Sequence, residues 1–241
     1  MSGTPRRGGR GGRGGCLRTL IVALVALVIL LVAGDFVAKS VAQNELASQI
    51  QKHGFPKKPS VSIQGFPFLT QVISRNIHQV QVSSQNIPEG PVNISQLSAI
   101  MKGIHLNSGF TSGTVSQLSG SVLVSFPSLA RTLNSQIGPL GALVGSSGLR
   151  LSAAGPDEIK ASLNLLVASG SATWRITRLS GQEFNARLVG SSGVPSSILG
   201  SISSFNIKIP ELPLGMQIDS VHITPAGVVG AISGHNLPFG G

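Results

Sequence analysis

The sequence predicts an α+β protein in which one long N-terminal helix precedes a mostly antiparallel β domain. Three observations indicate this class. An unbroken apolar run lies near the N-terminus, short alternating apolar and polar runs begin at Pro59, and turn residues separate those runs. Charged residues make up 11% of the 241 residues, well below the roughly 25% of soluble domains. Apolar surface is therefore abundant relative to charge.

The apolar run Leu17–Ala33 predicts a membrane-spanning or signal helix. Its 17 residues would reach about 26 Å as a helix, close to the ~30 Å hydrocarbon core. Five arginines and no acid precede or begin it, so the positive-inside bias leaves residues 1–16 in the cytoplasm and exports the chain after Asp35. The expected organisation is a basic Gly/Arg-rich tail (1–16), an anchor or signal segment (17–34) and an extracytoplasmic domain (35–241).

An uncleaved anchor and a cleaved signal both fit this segment. Small residues at Val32-Ala33-Gly34 and at Ser40-Val41-Ala42 offer two cleavage sites. The only cysteine, Cys16, precedes the apolar run, which excludes a lipobox there and a disulfide framework in the domain. The short RGGRGG run could contact nucleic acid, but beside a membrane segment it favours a topology signal or a contact with anionic lipid.

The exported chain predicts helix first and strands afterwards. Phe36–His53 lacks Pro and Gly and ends at Gly54, so we expect it to continue the membrane helix and dock on the domain. About eight to ten short strands follow. Ser180-Gly181 and Pro225-Ala226-Gly227 are expected to be hairpin turns between four of them.

Two segments interrupt the β pattern. A helix is expected from about Ser128 to Ile137, because Leu129, Leu133 and Ile137 are spaced four apart before Gly138-Pro139. An apolar, Gly-rich loop from Leu140 to Val144 follows, and a second short helix bearing Ile198, Leu199 and Ile202 is expected within VPSSILGSISSF.

No motif for catalysis or for a metal site is present. The five histidines are isolated, no Gly-x-Ser-x-Gly elbow or phosphate-binding loop occurs, and the chain has only eight acidic residues. The adjacent pair Asp157-Glu158 follows Gly155-Pro156 and predicts a turn. We therefore expect no enzyme, no cofactor and no metal.

The abundant apolar surface has two possible uses. The sheet and the helical segments could close on each other as an ordinary core, or they could leave a cleft for an acyl chain. A diacyl lipid with about 30 methylenes resists transfer to water by roughly 24 kcal/mol, so a lipid carrier needs a long apolar cavity. Curved antiparallel sheets provide such cavities.

Two stretches resemble the LmeA-like family of actinobacterial envelope proteins, described as phospholipid-binding. They are PSVSIQGFPFLTQVISRNIHQVQVSSQNI (Pro59–Ile87) and LPLGMQIDSVHITPAGVVGAISGHNL (Leu212–Leu237). The resemblance implies a highly curved antiparallel sheet around a long helix, as in tubular lipid-binding proteins of the bactericidal/permeability-increasing type. It also implies phospholipid or another acyl lipid as ligand, contact with the membrane, and location in the periplasm or cell envelope.

The GFPFL stretch (Gly65–Leu69) raises the question of why a strand ends in aromatics. Pro67 cannot donate to a sheet, so Phe66 and Phe68 fall at a strand end, where they either plug the core or line the mouth of a groove. The groove hypothesis adds the two apolar segments downstream. Its candidate lipid-contacting residues are Phe66, Phe68, Leu69, Leu140, Leu143, Val144, Ile198, Leu199 and Ile202.

The leading functional prediction is a protein that holds or transfers phospholipid or lipoglycan precursors in the envelope, with envelope biosynthesis proteins as further partners. No nucleic-acid partner is expected. The alternative is a structural or scaffolding envelope protein whose apolar faces form an ordinary core. An envelope enzyme with a dispersed site ranks last, because no motif supports it.

Overall fold

The computed structural model describes residues 13–52, 56–89, 92–136, 144–165, 169–180, 183–194, 200, 203–208 and 215–240. The helices in these ranges are α1 (Arg13–Lys52), α2 (Phe68–Ile73) and α3 (Phe126–Gln136). The strands in these ranges are β1 (Ser60–Gln64), β2 (Asn76–Glu89), β3 (Val92–Leu106), β4 (Gly113–Ser125), β5 (Val144–Gly155), β6 (Glu158–Leu165), β7 (Ser169–Arg178), β8 (Glu183–Ser192), β9 (Ser204–Lys208), β10 (Gln217–Thr224) and β11 (Gly227–Phe239).

Helix α1 is a single helix of 40 residues, about 60 Å long at 1.5 Å per residue. Within the described part of the chain, it is the one helix long and apolar enough to cross a membrane. It passes the expected boundary between residues 34 and 35 without a break. Beyond that point Ala42 and Ile50 pack against the core and Ala47 is buried, whereas Leu46 is exposed. The second part of α1 therefore docks on the β domain, as the sequence predicted.

The first sheet contains six of the described strands, in the order β1-β2-β3-β4-β11-β10. All neighbouring pairs are antiparallel. The pairing of β4 with β11 places the last described strand in the interior of the sheet. The face of this sheet whose apolar side chains form the core is called the inner face below.

Two rows of core residues cross the inner face. On each of the four strands that they share, the member of one row is three residues from the member of the other. The first row is Val80, Met101, Leu118 and Gly234. The second row is Ile77, Ile104, Val115 and Leu237. Residues three apart in a regular strand face opposite sides, but Gly103 (φ 60°) and Asn236 (φ 51°) lie between the rows in the left-handed region. Irregularities of this kind shift the alternation and bend the strands.

The second sheet has the order β5-β6-β7-β8-β9 and is also antiparallel. Its β5–β6 turn lies against β10, the edge of the first sheet. The Ile223 N–H donates to the Pro156 carbonyl at 2.8 Å, and the Ile176 N–H donates to the Asp157 carbonyl at 2.8 Å. The turn therefore covers part of an edge strand that would otherwise expose unpaired backbone groups. Phe184 of β8 joins the core of the first sheet.

Several sequence predictions are confirmed and one is revised. Helix α3 lies where a helix was expected, residues 156–157 form the expected turn, and a turn at Pro225-Ala226 joins β10 to β11. The described strands form two sheets instead of the single curved sheet that was expected. Pairing across the chain, such as β4 with β11, has no signal in local sequence. The second short helix around residues 195–202 falls largely outside the described residues.

Candidate functional site

The GFPFL stretch connects β1 to α2 and is held by one buried amide side chain. Gly65 has φ 98°, in the left-handed region that favours glycine, and a Cβ there would lie 2.6 Å from Nε2 of Gln71. That amide donates to the Gln64 carbonyl at 3.3 Å, and its Oε1 accepts from the His78 N–H at 3.0 Å. The Phe66-Pro67 peptide bond is cis. The polar atoms of Gln71 thus connect the end of β1 to the start of β2.

Asp35 of α1 fixes the position of α2. Its carboxylate accepts hydrogen bonds from the Phe68 N–H at 2.8 Å and from the Leu69 N–H at 2.7 Å. These are first-turn amides of α2, which have no partner within the helix. Asp35 is only 4% exposed, although its neighbours on α1 are exposed. The side chain that caps α2 therefore lies 33 residues upstream, two residues beyond the apolar run of α1.

The predicted site residues of this stretch separate into two groups. Phe68 is 5% exposed and belongs to the core cluster, with Ile77 and Val80 among its members. Phe66 is 59% exposed and Leu69 is 41% exposed. The core-plug interpretation thus describes the position of Phe68 but not that of Phe66.

The remaining predicted site residues contribute little to this description. Leu140 and Leu143 lie outside the described residues, as do Ile198, Leu199 and Ile202. Val144 is the first residue of β5, so its backbone is in a strand and not in the loop that was expected. Their assignment as lipid contacts stays a prediction.

One row of the inner face contains open space, and the sequence alone does not reveal this row. This row crosses five neighbouring strands and is called the open row. Its residues, from β2 to β10, are Ser84, Leu97, Val122, Gly230 and Val221. Its three apolar side chains are half-buried against the core. The open row therefore presents apolar surface that the described core does not fully cover.

Gly230 marks the space itself. A Cβ built on Gly230 has no atom within 4 Å, whereas one built on Gly120, in the adjacent row, would lie 2.5 Å from the Ser98 carbonyl oxygen. At the β2 end of the open row, separated from Gly230 by β3 and β4, the Ser84 hydroxyl is buried and has no hydrogen-bond partner among the described residues. Small residues in strand interiors mark places where another group approaches closely, and the sequence alone shows the glycine but not the space.

The inner face continues onto the second sheet and is exposed at its edge. Phe184 and Ala186 of β8 are buried, and their direct partners on β9 are Ile207 and Phe205. Paired residues face the same side of a sheet, yet both β9 side chains are exposed. Phe205 also contacts Trp174 edge to face, with ring centroids 6.4 Å apart. An apolar surface thus extends from the core to the outer strand β9.

A cleft between α1 and β1 has a different chemistry. It has a volume of about 330 Å³, is open to solvent and is lined mainly by polar side chains of α1 and of the residues around β1. Gln43 in its wall accepts a hydrogen bond from the Ile63 N–H at 2.8 Å, which ties α1 to β1. Polar walls do not suit an acyl chain. In the described part of the chain, no group of three or more His, Cys, Asp or Glu side chains is arranged to hold a metal ion.

The fold and these surfaces define an α+β protein with an apolar N-terminal helix and a half-covered apolar inner face. The chain matches the model of the LmeA-like phospholipid-binding family over residues 33–233, and it belongs to that family. The resemblance predicted from the sequence is therefore confirmed. The family is described as phospholipid-binding. The apolar helix fits either a membrane anchor or a signal sequence.

Curated relatives of the chain are mycobacterial. Uncharacterised proteins of Mycobacterium tuberculosis (strain H37Rv) and of Mycobacterium bovis are each 25% identical to it over 206 residues, which is 84% of this chain and 58% of the relative. The chain therefore spans less than two thirds of the length of these curated relatives. No solved structure matches the chain significantly.

Proposed function

We propose that the β domain binds phospholipid by burying an acyl chain against the open row and the neighbouring inner face. The observation that carries the proposal is the open space at Gly230, between the half-buried Val122 and Val221 of the open row. An apolar surface of this kind is costly to leave in water, at about 25 cal/mol per Å². An acyl chain that enters the space removes the surfaces of both the ligand and the protein from water.

The dimensions of the inner face support an acyl chain as the occupant. Along β3 the half-buried inner side chains extend from Leu97 to Met101, about 13 Å at ~3.3 Å per residue. One leaflet of a membrane's hydrocarbon core is about 15 Å thick. An acyl chain long enough to cross one leaflet therefore matches the length of the inner face from Leu97 to Met101. The exposed Phe205 and Ile207 of β9 offer further apolar contact.

The proposal extends to location and role. Residues 1–16 form a cytoplasmic tail, 17–34 an anchor or signal, and 35–241 an extracytoplasmic domain that holds or transfers phospholipid or lipoglycan precursors in the cell envelope. The bend of the first sheet at Gly103 and Asn236 supports a curved, tubular arrangement of the lipid-binding type. The candidate residues near positions 140–144 and 198–202 would then complete the acyl site. Phe66 and Leu69 would face the membrane from which lipid is taken.

The test fills the space and measures bound lipid. Gly230→Leu places a side chain where no atom lies within 4 Å of the Cβ, and Gly190→Leu is the matched control because Gly190 is an exposed strand glycine with the same open surroundings. The full-length chain is purified in mild detergent, and its lipid is measured by native mass spectrometry and by extraction. We expect stoichiometric phospholipid in the native protein and in Gly190→Leu, and loss of most of it in Gly230→Leu.

Two results would contradict the proposal. Equal lipid content in both variants would show that lipid does not occupy the space at Gly230. A native protein that carries no lipid and takes none from labelled vesicles would favour the scaffolding alternative. Unfolding curves for the three proteins serve as the control for folding, and we expect neither variant to be less stable than the native protein, because leucine is better tolerated in strands than glycine.

A further inference from the structure

Four exposed apolar side chains surround the point where α1 leaves its apolar segment. They are Phe36, Phe66, Leu69 and Ile73, and they are called the apolar collar. Ile73 is 78% exposed, the highest value among the large apolar side chains of the described residues. Scattered exposed apolar residues need no explanation, but a cluster of them marks an interaction surface.

The collar is built from α1, the GFPFL turn and α2, and Asp35 of α1 holds the start of α2 beside Phe36 through its hydrogen bonds to the Phe68 and Leu69 amides. The rings of Phe36 and Phe66 are stacked with centroids 6.0 Å apart. Leu69 and Ile73 are four residues apart on α2, so they lie on the same face of the helix. The opposite face of α2 is occupied by the buried Phe68 and Gln71. Helix α2 is therefore amphipathic, and its apolar outer face is unpartnered within the described residues.

The position of the collar along α1, relative to the apolar run, indicates which layer of the membrane would cover it. Phe36 lies three residues beyond Ala33, the end of the apolar run, or about 4.5 Å along the helix axis. The headgroup layer on each side of the hydrocarbon core is about 5–8 Å thick. Asp35 fixes the N-terminus of α2 at the same level through its two hydrogen bonds. If the apolar run spans the membrane, the collar must lie at the depth of the headgroups.

We propose that the apolar collar inserts into the outer leaflet of the membrane that α1 crosses, so that α2 lies in the plane of the membrane interface. Amphipathic helices in this position bury their apolar face about 5–10 Å into the boundary between headgroups and acyl chains. Two basic residues lie close to the collar in sequence: the exposed Arg75, two residues after the end of α2, and Lys39, one turn beyond Asp35 on α1. Their positive charge favours a leaflet that contains anionic lipid.

The inference rests on the proposed membrane anchor, and the experiment separates the two. The chain has a single cysteine, so Cys16→Ser provides a background for placing one fluorophore at a time through Leu69→Cys, Ile73→Cys or Leu27→Cys. Gln85→Cys, at an exposed position on β2, is the control away from the collar. Each labelled full-length protein is reconstituted in nanodiscs of phosphatidylcholine and phosphatidylglycerol that contain nitroxide-labelled lipid, with the nitroxide either near the headgroup or deep in the acyl chain.

The expected pattern distinguishes three depths. Labels at Leu69 and Ile73 should lose fluorescence to the shallow nitroxide, the label at Leu27 to the deep nitroxide, and the label at Gln85 to neither. Quenching at Leu27 without quenching at Leu69 and Ile73 would refute the insertion of the collar into the membrane but would still support the membrane anchor. No quenching at Leu27 would overturn the anchor, and the collar with it.

Discussion

Replacing Asp35 by alanine should lower the free energy of unfolding of the β domain by about 3 kcal/mol. The carboxylate accepts two hydrogen bonds at 2.8 and 2.7 Å and is almost fully buried. Hydrogen bonds to a charged group contribute roughly 1.5–3 kcal/mol each, and loss of an N-terminal cap usually costs about 0.5–2 kcal/mol. Leu69 is more exposed than Phe68, so water should partly replace the hydrogen bond lost by the Leu69 amide. The expected loss of about 3 kcal/mol is therefore larger than that of an ordinary cap and smaller than that of two fully buried hydrogen bonds to a charged group.

The measurement is urea or thermal unfolding of the full-length chain in detergent micelles, followed by the fluorescence of the only tryptophan, Trp174, and by circular dichroism. In a domain of about 200 residues, a loss of 3 kcal/mol corresponds to a decrease in Tm of about 6–12 °C. Hydrogen exchange of the Phe68 and Leu69 amides should accelerate more than that of residues in β7. This comparison would show that the loss of stability is localised at α2.

Two further variants test the reasoning. Asp35→Asn keeps one acceptor oxygen but turns a donor toward the second amide, so we expect an intermediate loss. Asp219→Ala is the matched control, because this exposed carboxylate accepts a single hydrogen bond from the Ser233 hydroxyl at 2.8 Å. Its effect should stay within about 0.5 kcal/mol. If Asp35→Ala were as mild as Asp219→Ala, the cap would contribute nothing and the assigned position of α2 relative to α1 would be wrong.

Two more predictions concern the stability of the core. Phe68→Ala should lower the free energy of unfolding by about 3–5 kcal/mol, the usual cost of removing a buried phenylalanine, whereas Phe66→Ala should cost no more than the ~1 kcal/mol of an exposed aromatic pair. Equal losses in urea unfolding would refute the separation of the two rings into core and surface. Ser84→Ala should leave the free energy of unfolding unchanged or raise it by about 1 kcal/mol, because it removes a buried hydroxyl without a described partner. A loss of stability in Ser84→Ala would show that the hydroxyl has a partner.

The parts of the fold that could be predicted are those specified by neighbouring residues. Helix α3 follows from apolar residues four apart and a Gly138-Pro139 stop, and the turn at Pro225-Ala226 follows from its residue types. The shared face of Val80 and Val82 also follows, because alternation with period two needs no partner strand. Each of these signals lies within a few residues of the structure that it specifies.

Helix α2 and the open row could not be predicted because their determinants are distant in sequence. The segment FLTQVI contains three β-branched residues and no capping residue directly before it, and the side chain that caps it belongs to α1. The open row depends on the pairing of β11 with both β4 and β10. Glycine at position 230 is visible in the sequence, but the empty space above it is a property of the assembled sheet.

The role of Asp35 distinguishes between the two cleavage sites that the sequence offers in the N-terminal helix. Cleavage after Gly34 would leave Asp35 as the first residue and would keep the acceptor for the Phe68 and Leu69 amides. Cleavage after Ala42 would remove this acceptor together with Phe36, the stacking partner of Phe66. The α2 amides would then lose a buried charged partner, at a cost comparable to that of Asp35→Ala. The fold of the GFPFL turn and α2 therefore favours retention of α1 from Asp35 onward, whether or not the segment before it stays in the membrane.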